Sequence, residues 1–587
     1  MTPRHSNYDK SPFVHVDTSS LETWVGWQAI LDRLKPLTAE NSCVVCVDCY
    51  PGAFEHSIRQ ALEEGLHPAK VIYTPELLKA PREIDQMLEG ILGDDPVFAR
   101  MSEITLQEFF ESSRLLQAHD ATANWGTGLL LVVGVGASLV SSKPDLLVYA
   151  DMARWEIQGR QRRNEIANLG SGNFDESPSL KYKRAFFVDW RAADRLKKDL
   201  LPKVDFFLDT NGATAKMVTG RAVREGLKKA GHSPFRVVPY FDPGPWGGHW
   251  MEEVCDLAHD APNHAWCFDC VPEENSLLLG FGGVHIELPA IDLTFLQPRE
   301  LLGDSIYSRF GAEFPIRFDF LDTMGGGNLS LQVHPRTEYI RRHFGMAYTQ
   351  DESYYILDAA EDGCVYLGVK TGVDRDAMVR DLRAAQSGGA PFPAEKYVNK
   401  FPARKHDHFL IPSGTIHCSG KNSMVLEISA TPYIFTFKLW DWGRLGLNGL
   451  PRPIHLDHGI ANISWERDTE WVRRGLINHL DLLEKNDGWT EERTGLHESE
   501  FIETRRRWFT RISTHETQGA VNVLNLVEGR EVTVESPTGM FDPQVVHYAE
   551  SFIVPAAAGG YTIRPSGESE GKRCATIKAF VRGNQSS

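Results

Sequence analysis

The chain has 587 residues, which at roughly 150 residues per domain argues for three or four domains rather than one core. With 42% hydrophobic and 24% charged residues it has apolar side chains for several cores, which excludes a disordered polymer. Its 62 Lys and Arg against 79 Asp and Glu leave a net charge of -17, so phosphate backbones and anionic lipid are repelled; neither nucleic acid nor a membrane is an expected partner.

The opening MTPRHSNYDK is polar and lacks the apolar core of a signal peptide, and the longest apolar stretch, 128–140, is broken by glycines and falls short of the roughly 20 residues of a membrane helix. A soluble cytoplasmic protein is expected, with its nine cysteines reduced. In chain order, Ser42 to Tyr50 reads as a continuous apolar strand and Gly52 to Gly65 as a helix. Leu129 to Val135, Asp145 to Tyr149, Ala185 to Val188 and Asp205 to Leu208 read as further strands, a rhythm that predicts a mostly parallel sheet covered by helices. Cys43, Cys46 and Cys49 alternate between faces of the first strand, so they read as buried apolar residues rather than as ligands of one metal. The pattern changes at Gly231 to Pro234, after which short strands punctuated by Gly and Pro predict all-β structure. His264, Cys267 and Cys270 have ligand-like spacing but no second cysteine pair follows. Asp374 to Ala385 and Glu466 to Lys485 read as helices by the spacing of their apolar residues, and VNVLNLVEGREVTVES reads as a hairpin about Glu528 to Arg530. The expected fold class is multidomain α/β plus all-β: an N-terminal parallel-sheet domain at 1–233, a β domain with helical insertion at 234–465, and a helical segment with a C-terminal β domain at 466–587.

The informative chemistry lies between Asn328 and Arg444. In LSLQVHP, Ser330, Gln332 and His334 alternate with apolar residues, so on a strand they share one face, and Gln with His two residues apart can offer two neutral ligands to one divalent ion. Glu352 precedes the strand YYILDA and His417 follows the turn IPSGTIH; a shared metal requires the fold to bring these together, because spacing alone does not. Glu427 lies in MVLEIS, where a carboxylate in an apolar cavity beside a cation can be poised to exchange protons.

LSLQVHP, ESYYILDA, IPSGTIHCSG, VLEI and WDWGR, in that order, resemble the motifs of class I mannose-6-phosphate isomerases, zinc enzymes built from cupin-type β jelly rolls. The resemblance runs from PWGGHW through YLGVK, VNKFPARKHDHFLIP and RPIHLDHGI, about 234–462. It implies one Zn2+ per chain held by Gln332, His334, Glu352 and His417, with Glu427 and Arg444 as catalytic residues. The function implied is isomerisation of mannose 6-phosphate to fructose 6-phosphate through an enediol, with a small sugar or sugar phosphate as partner. Two family lysines are missing. One position holds Gln350, and the strand preceding LSLQVHP reads IRFDFLDT, with Arg317 and Asp319 near the expected place. Substrate contacts then fall to Ser330, Gln350 and Arg336, and the family's early glutamate to Asp269, Glu273 or Glu274. These departures keep open an isomerase or epimerase of another sugar, phosphorylated or not, and a zinc-containing sugar-binding regulatory protein without turnover.

The first third resembles the P-loop sugar and nucleoside kinases through VVCVD, VYADMARW and a lid-like QGRQRRNE. Its loop, CYPGAFEHS, lacks the second glycine and the lysine that neutralise a triphosphate, so a degenerate, catalytically silent phosphate loop is expected.

Overall fold

The computed structural model describes residues 6–17, 22–38, 42–430, 433, 435–495, 497 and 499–583. It divides into two compact units, one formed by 13–229 with 276–297, the other by 1–12, 230–275 and 298–587. The fold is multidomain, with mixed parallel and antiparallel sheets and helices. Among the described residues no helix is long and apolar enough to cross a membrane.

The first unit is built on a seven-stranded sheet. Lys70–Tyr73, Gly128–Gly134, Ser42–Cys49, Leu146–Asp151 and Phe206–Asp209 run parallel in that order, and Lys216–Thr219 and Thr23–Val25 extend it antiparallel. Ser42–Cys49 is central and buried on both faces, which is why its sequence is continuously apolar until Asp48. Asp48 turns that strand end polar and accepts hydrogen bonds from the amides of Gly136 (3.1 Å) and Ser138 (2.8 Å). Covering helices such as Pro81–Leu92 bury one stripe, Ile84 and Leu88, as four-residue spacing requires. One expectation fails here. Ala185 to Val188 is not a strand but a wide helical turn, Ala185–Asp189, between the helices Pro178–Arg184 and Trp190–Leu200. All five of its residues are buried, and a short apolar run buried on every side carries no periodicity to tell strand from helix.

The second unit holds two antiparallel sheets that supply the candidate site. The first has six strands in the order His408–Ile411, Glu352–Ala359, Ser423–Ser429, Arg317–Asp322, Trp266–Cys270 and Tyr240–Asp242; the second has five, in the order Val398–Pro402, Cys364–Val369, His417–Ser419, Leu331–Val333 and Phe437–Trp440. Arg317–Asp322 is buried on both faces, with Phe318 and Phe320 on one and Arg317 and Asp319 on the other. Each phenylalanine contributes roughly 1.5–3 kcal/mol by its burial, against which the desolvation of the charged pair must be offset.

The C-terminal region adds a six-stranded and a four-stranded antiparallel sheet around Phe509, Leu524, Val534, Phe552 and Tyr561. Two further expectations are corrected there. The strands Asn522–Glu528 and Glu531–Glu535 do not pair as a hairpin but belong to different sheets, so the turn at Gly529 is a corner between layers. Of the helix expected at 466–485 only Thr469–Gly475 is helical; Asp481–Asn486 is an edge strand on which Leu482 is exposed. The helix expected near 374–385 is present as Arg375–Gln386, capped by Asp374, which accepts from the amide of Ala377.

Candidate metal centre

The strand Leu331–Val333 pairs on one side with His417–Ser419, which puts Gln332 directly opposite His417, and on the other with Phe437–Trp440, which puts Gln332 opposite Lys438. His334 follows the strand on the same alternating face as Gln332. The turn before His417 depends on Gly414, whose φ of +88° a side chain rarely adopts and whose Cβ would meet the Ser464 hydroxyl at 2.5 Å. Arg467 holds that turn by donating to the carbonyls of Pro412 and Ser413, each at 2.6 Å.

Both histidines are oriented by backbone. Nδ1 of His334 lies 2.9 Å from the Phe435 carbonyl and Nδ1 of His417 lies 2.9 Å from the Thr415 carbonyl. A ring whose Nδ1–H donates to a carbonyl presents a lone pair at Nε2, the tautomer a metal requires. Those Nε2 atoms lie 3.0 and 2.9 Å from the two carboxylate oxygens of Glu352. All three side chains are fully buried. Two imidazole lone pairs facing two carboxylate oxygens repel unless a cation or protons lie between them, and among the described residues this is the one His/Cys/Asp/Glu group positioned to hold a metal ion. Burial alone would raise Glu352, but His334 and His417 hold it far below the ordinary carboxylate range. Burial would likewise depress His334, and Glu352 more than reverses this.

Gln332 completes the cluster from the second sheet. Its Nε2 lies 3.2 Å from Nε2 of His417 while its Oε1 accepts from Ser330 at 3.1 Å. Exchange of the amide ends would turn the oxygen toward the same point. Gln350 donates to Glu352 (2.9 Å) and to Glu427 (3.3 Å), and so links the cluster to the second carboxylate.

Register across the first sheet arranges six side chains as two rows. Arg317, Ser429 and Glu352 stand directly opposite one another on three neighbouring strands, as do Asp319, Glu427 and Tyr354. Arg317 donates through Nε to Asp319 at 2.8 Å, but among the described residues both of its terminal nitrogens are buried with no hydrogen-bond partner, as is Oδ1 of Asp319. The carboxyl of Glu427 is pushed well up, chiefly by burial and then by the charges of Glu352 and Asp319, with Arg317 opposing. Asp319 is raised to about 6, again chiefly by burial. A face with unpartnered donors and acceptors side by side suits a polar ligand whose own hydroxyls both give and accept.

The remaining expected residues fall outside these rows. Arg444 follows Trp442 and Gly443, both with positive φ (59° and 68°), and donates to Asp441 at 2.7 Å and to the Asn328 carbonyl. Arg336 is exposed and donates to the Ala461 carbonyl at 3.0 Å. Of the candidates for the early glutamate, Asp269 is taken by Tyr8, the Ser551 amide (2.7 Å) and Arg236 (3.8 Å), whereas the charge of Glu274 reaches Arg317 and Asp319. His264, Cys267 and Cys270 form no metal group among the described residues. Tyr354 and Lys438 were not anticipated from sequence. Tyr354 was legible as the second residue after Glu352 on a strand, Lys438 only through pairing.

Comparison with known proteins gives three results. A family described as a domain of unknown function, DUF8485, matches residues 26–232. The mannose-6-phosphate isomerase of Streptococcus mutans serotype c is 27% identical over 219 residues, 37% of this chain and 63% of its own length. That of Bacillus subtilis is 25% identical over 232 residues, 39% of this chain and 68% of its own. This chain therefore spans less than two thirds of the first of these relatives. Among solved structures, a Bacillus subtilis mannose 6-phosphate isomerase superposes with a TM-score of 0.47 at 19% identity, covering 60% of this chain and 100% of its own. A single-residue variant of the Salmonella typhimurium phosphomannose isomerase gives a TM-score of 0.45 at 14% identity, covering 60% of this chain and 100% of its own. Over part of its length the chain is a distant relative of the mannose-6-phosphate isomerases.

Proposed function

We propose that this protein is a zinc-dependent aldose-ketose isomerase that works through an enediol, with mannose 6-phosphate, which the relatives' names carry, and fructose 6-phosphate, which the motif resemblance implies, as the pair. The observation that carries the reading is the buried meeting of His334, His417 and Glu352 beside Glu427, a second carboxylate linked to it through Gln350. A bound zinc ion would polarise the sugar's carbonyl and hydroxyl oxygens, and Gln332, His334, Glu352 and His417 would hold it.

The protein's own groups then have separable tasks. In its ionised form Glu427 takes the proton from the carbon next to the carbonyl and returns it to the former carbonyl carbon, while the hydroxyl proton of the carbon first deprotonated passes to the former carbonyl oxygen. Burial, which raises this carboxyl, makes its ionised form the stronger base. The unpartnered guanidinium nitrogens of Arg317 donate to the oxygen that gains charge as the enediol forms, a task that motif resemblance gives to Arg444. Asp319 fixes Arg317 through Nε and leaves that donating edge free. Tyr354, whose ring edge meets His417 at 5.9 Å, closes the row on the other side.

One observation favours a variant of this reading in which the sugar is unphosphorylated. Asp319 and Glu427 share the inner face with Arg317, and acidic neighbours disfavour a phosphate dianion there. Incubating the purified, zinc-loaded chain with free and 6-phosphorylated aldoses and following ketose formation tests both versions. Turnover of neither by a chain with full metal content rejects the isomerase.

The α/β unit is read as non-phosphorylating. Arg160, at the place of a lid arginine, is buried, paired to Glu156 at 3.0 Å, and donates to the Gly52 carbonyl in the loop itself at 2.9 Å. An arginine spent on a loop carbonyl is not free for a phosphate.

A further inference from the structure

Lined by none of the proposed metal ligands, a cleft of about 720 Å³ in the second unit gathers Arg309, Arg493, Arg505 and Arg582, with Glu503 as its one acidic lining residue among the described residues. On a chain with a net charge of -17 such a concentration of guanidinium groups is unexpected and calls for a physical reason. Strand register sharpens the point. Arg493 lies directly opposite Arg505, and Arg505 directly opposite Lys578, so three cations stand in one row across neighbouring strands. Like charges in that arrangement are destabilising, and the fold holds them there nonetheless.

The neighbouring carboxylates do not discharge the row. Glu503 is shared by Arg505 (2.6 Å), Arg493 (3.7 Å) and Arg582 (3.9 Å). Glu491 meets Arg505 only at 3.5 Å and is bound more closely by Arg507, at 2.7 Å. Asp481, opposite Arg493 on the edge strand, is exposed. Among the described residues the Nε atoms of Arg493 and Arg582 are buried without a hydrogen-bond partner, while a terminal nitrogen of Arg582 donates to the His497 carbonyl at 3.2 Å. Arg505 lies over the Phe580 ring at 5.0 Å and Arg309 over Phe501 at 4.8 Å, which fixes two of the guanidinium planes. Ser305, Ser308 and Thr517 add hydroxyls to the lining.

We propose that this cleft is a second ligand site, distinct from the metal centre, which takes a small phosphorylated molecule, a phosphate ester or a diphosphate, through forked guanidinium contacts. Phosphate matches the need on three counts. It brings at least one full negative charge to a row whose cations outnumber the carboxylates they share, it accepts hydrogen bonds without donating where the lining guanidiniums are donors, and its oxygens fit the planar fork. The cleft volume suits a molecule of hexose phosphate or mononucleotide size.

The test is calorimetric titration of the full-length His417→Ala chain, in which any metal-borne binding is removed, with methylenediphosphonate as the probe. One saturable site is expected, weakening at least tenfold between about 50 and 300 mM salt as screening predicts. The double variant Arg493→Gln, Arg582→Gln should bind at least tenfold more weakly, and Arg493→Lys, which keeps charge but loses the fork, should fall between. Should the double variant fail to fold, Arg309→Ala at the exposed rim should still cost threefold or more. Absence of saturable binding, or binding indifferent to all three substitutions, overturns the proposal. Markedly tighter binding of a single-stranded oligonucleotide than of any small phosphate would overturn it too, in favour of an extended polyanion.

Discussion

The two units bury charge in opposite ways. In the α/β unit Lys197 lies between Asp151 (2.8 Å) and Asp292 (2.5 Å), Arg154 meets Asp194 at 2.6 Å, and Tyr50 donates to the same Asp194 at 2.8 Å. These cations meet carboxylates of the protein directly, while the buried Lys181 and Lys183 of the same unit are held by amide and carbonyl oxygens. On the inner face of the second unit one guanidinium faces the carboxylates of Asp319, Glu427 and Glu352, and two lone-pair-bearing imidazoles point at Glu352. A network closed on itself stabilises or specifies a fold, whereas an open one is completed from outside. The difference is one of pairing, direct cation-carboxylate contacts in the first unit against guanidinium nitrogens left unpartnered among the described residues in the second, and it is the ground for placing the proposed chemistry in the second.

The largest expected effect tests the open side. His417→Ala should reduce metal content from about one ion per chain to near zero, because the three remaining donors leave the site one strong nitrogen short. Elemental analysis of the purified variant decides this, and full occupancy would move the metal elsewhere. On the closed side, Lys197→Met should destabilise the α/β unit by roughly 3–5 kcal/mol, since Asp151 and Asp292 would be left buried and facing each other. Denaturant unfolding followed by a probe in that unit reads the loss; a shift below about 1 kcal/mol would make its charges as dispensable as surface ones.

Glu427→Gln should keep the metal and lower isomerase turnover by about 100-fold or more, the ordinary scale for a displaced general base. Unchanged turnover would transfer the proton to another carboxyl, with Asp319, directly opposite Glu427 on the neighbouring strand, the nearest candidate. The smallest effect concerns pH. Burial raises Asp48 to about 6, with the Gly136 and Ser138 amides opposing, and Glu55, which faces the same strand ends, is raised to about 7. Both carboxyls hold protons in the folded state that they release when unfolded, so stability falls as pH rises through about 6 to 7 and is recovered on acidification toward 5. Asp48→Asn should flatten that slope by on the order of 1 kcal/mol. A wild-type α/β unit whose urea midpoint is the same at pH 5 and pH 7.5 would falsify the assignment.

What could be read beforehand follows the range of each signal. The alternation in LSLQVHP points to Gln332 and His334, because ligand donors on one strand face are a local property, whereas Glu352 and His417 are reached through the order of the motifs in the resemblance. The continuous apolar run at 42–49 likewise marks a central parallel strand. Pairing is not local. That Asp319 stands beside Glu427, or that Gln332 stands beside Lys438, depends on which strands become neighbours, and nothing in the residues between them encodes it. The same ignorance turned the corner at Gly529 into a hairpin, since a glycine between two β-rich runs serves equally for folding back in one sheet or crossing to another. At 466–485 helical spacing continued in the sequence past Gly475, where the helix itself ends.

The two-row arrangement on the inner sheet also sets the grain at which this site can be altered. A side chain can be moved along its strand only in steps of two residues, about 6.6 Å, or across to the next strand, about 4.8 Å; a one-residue step sends it through to the Phe318 and Phe320 side. Exchanging the identities of positions 317 and 319 would therefore carry the positive charge one full step along the lattice from the Glu352 row to the Glu427 row with the backbone unmoved. Redesign of the pocket is in this sense a board with fixed squares, and substrate preference should change by jumps rather than by degrees.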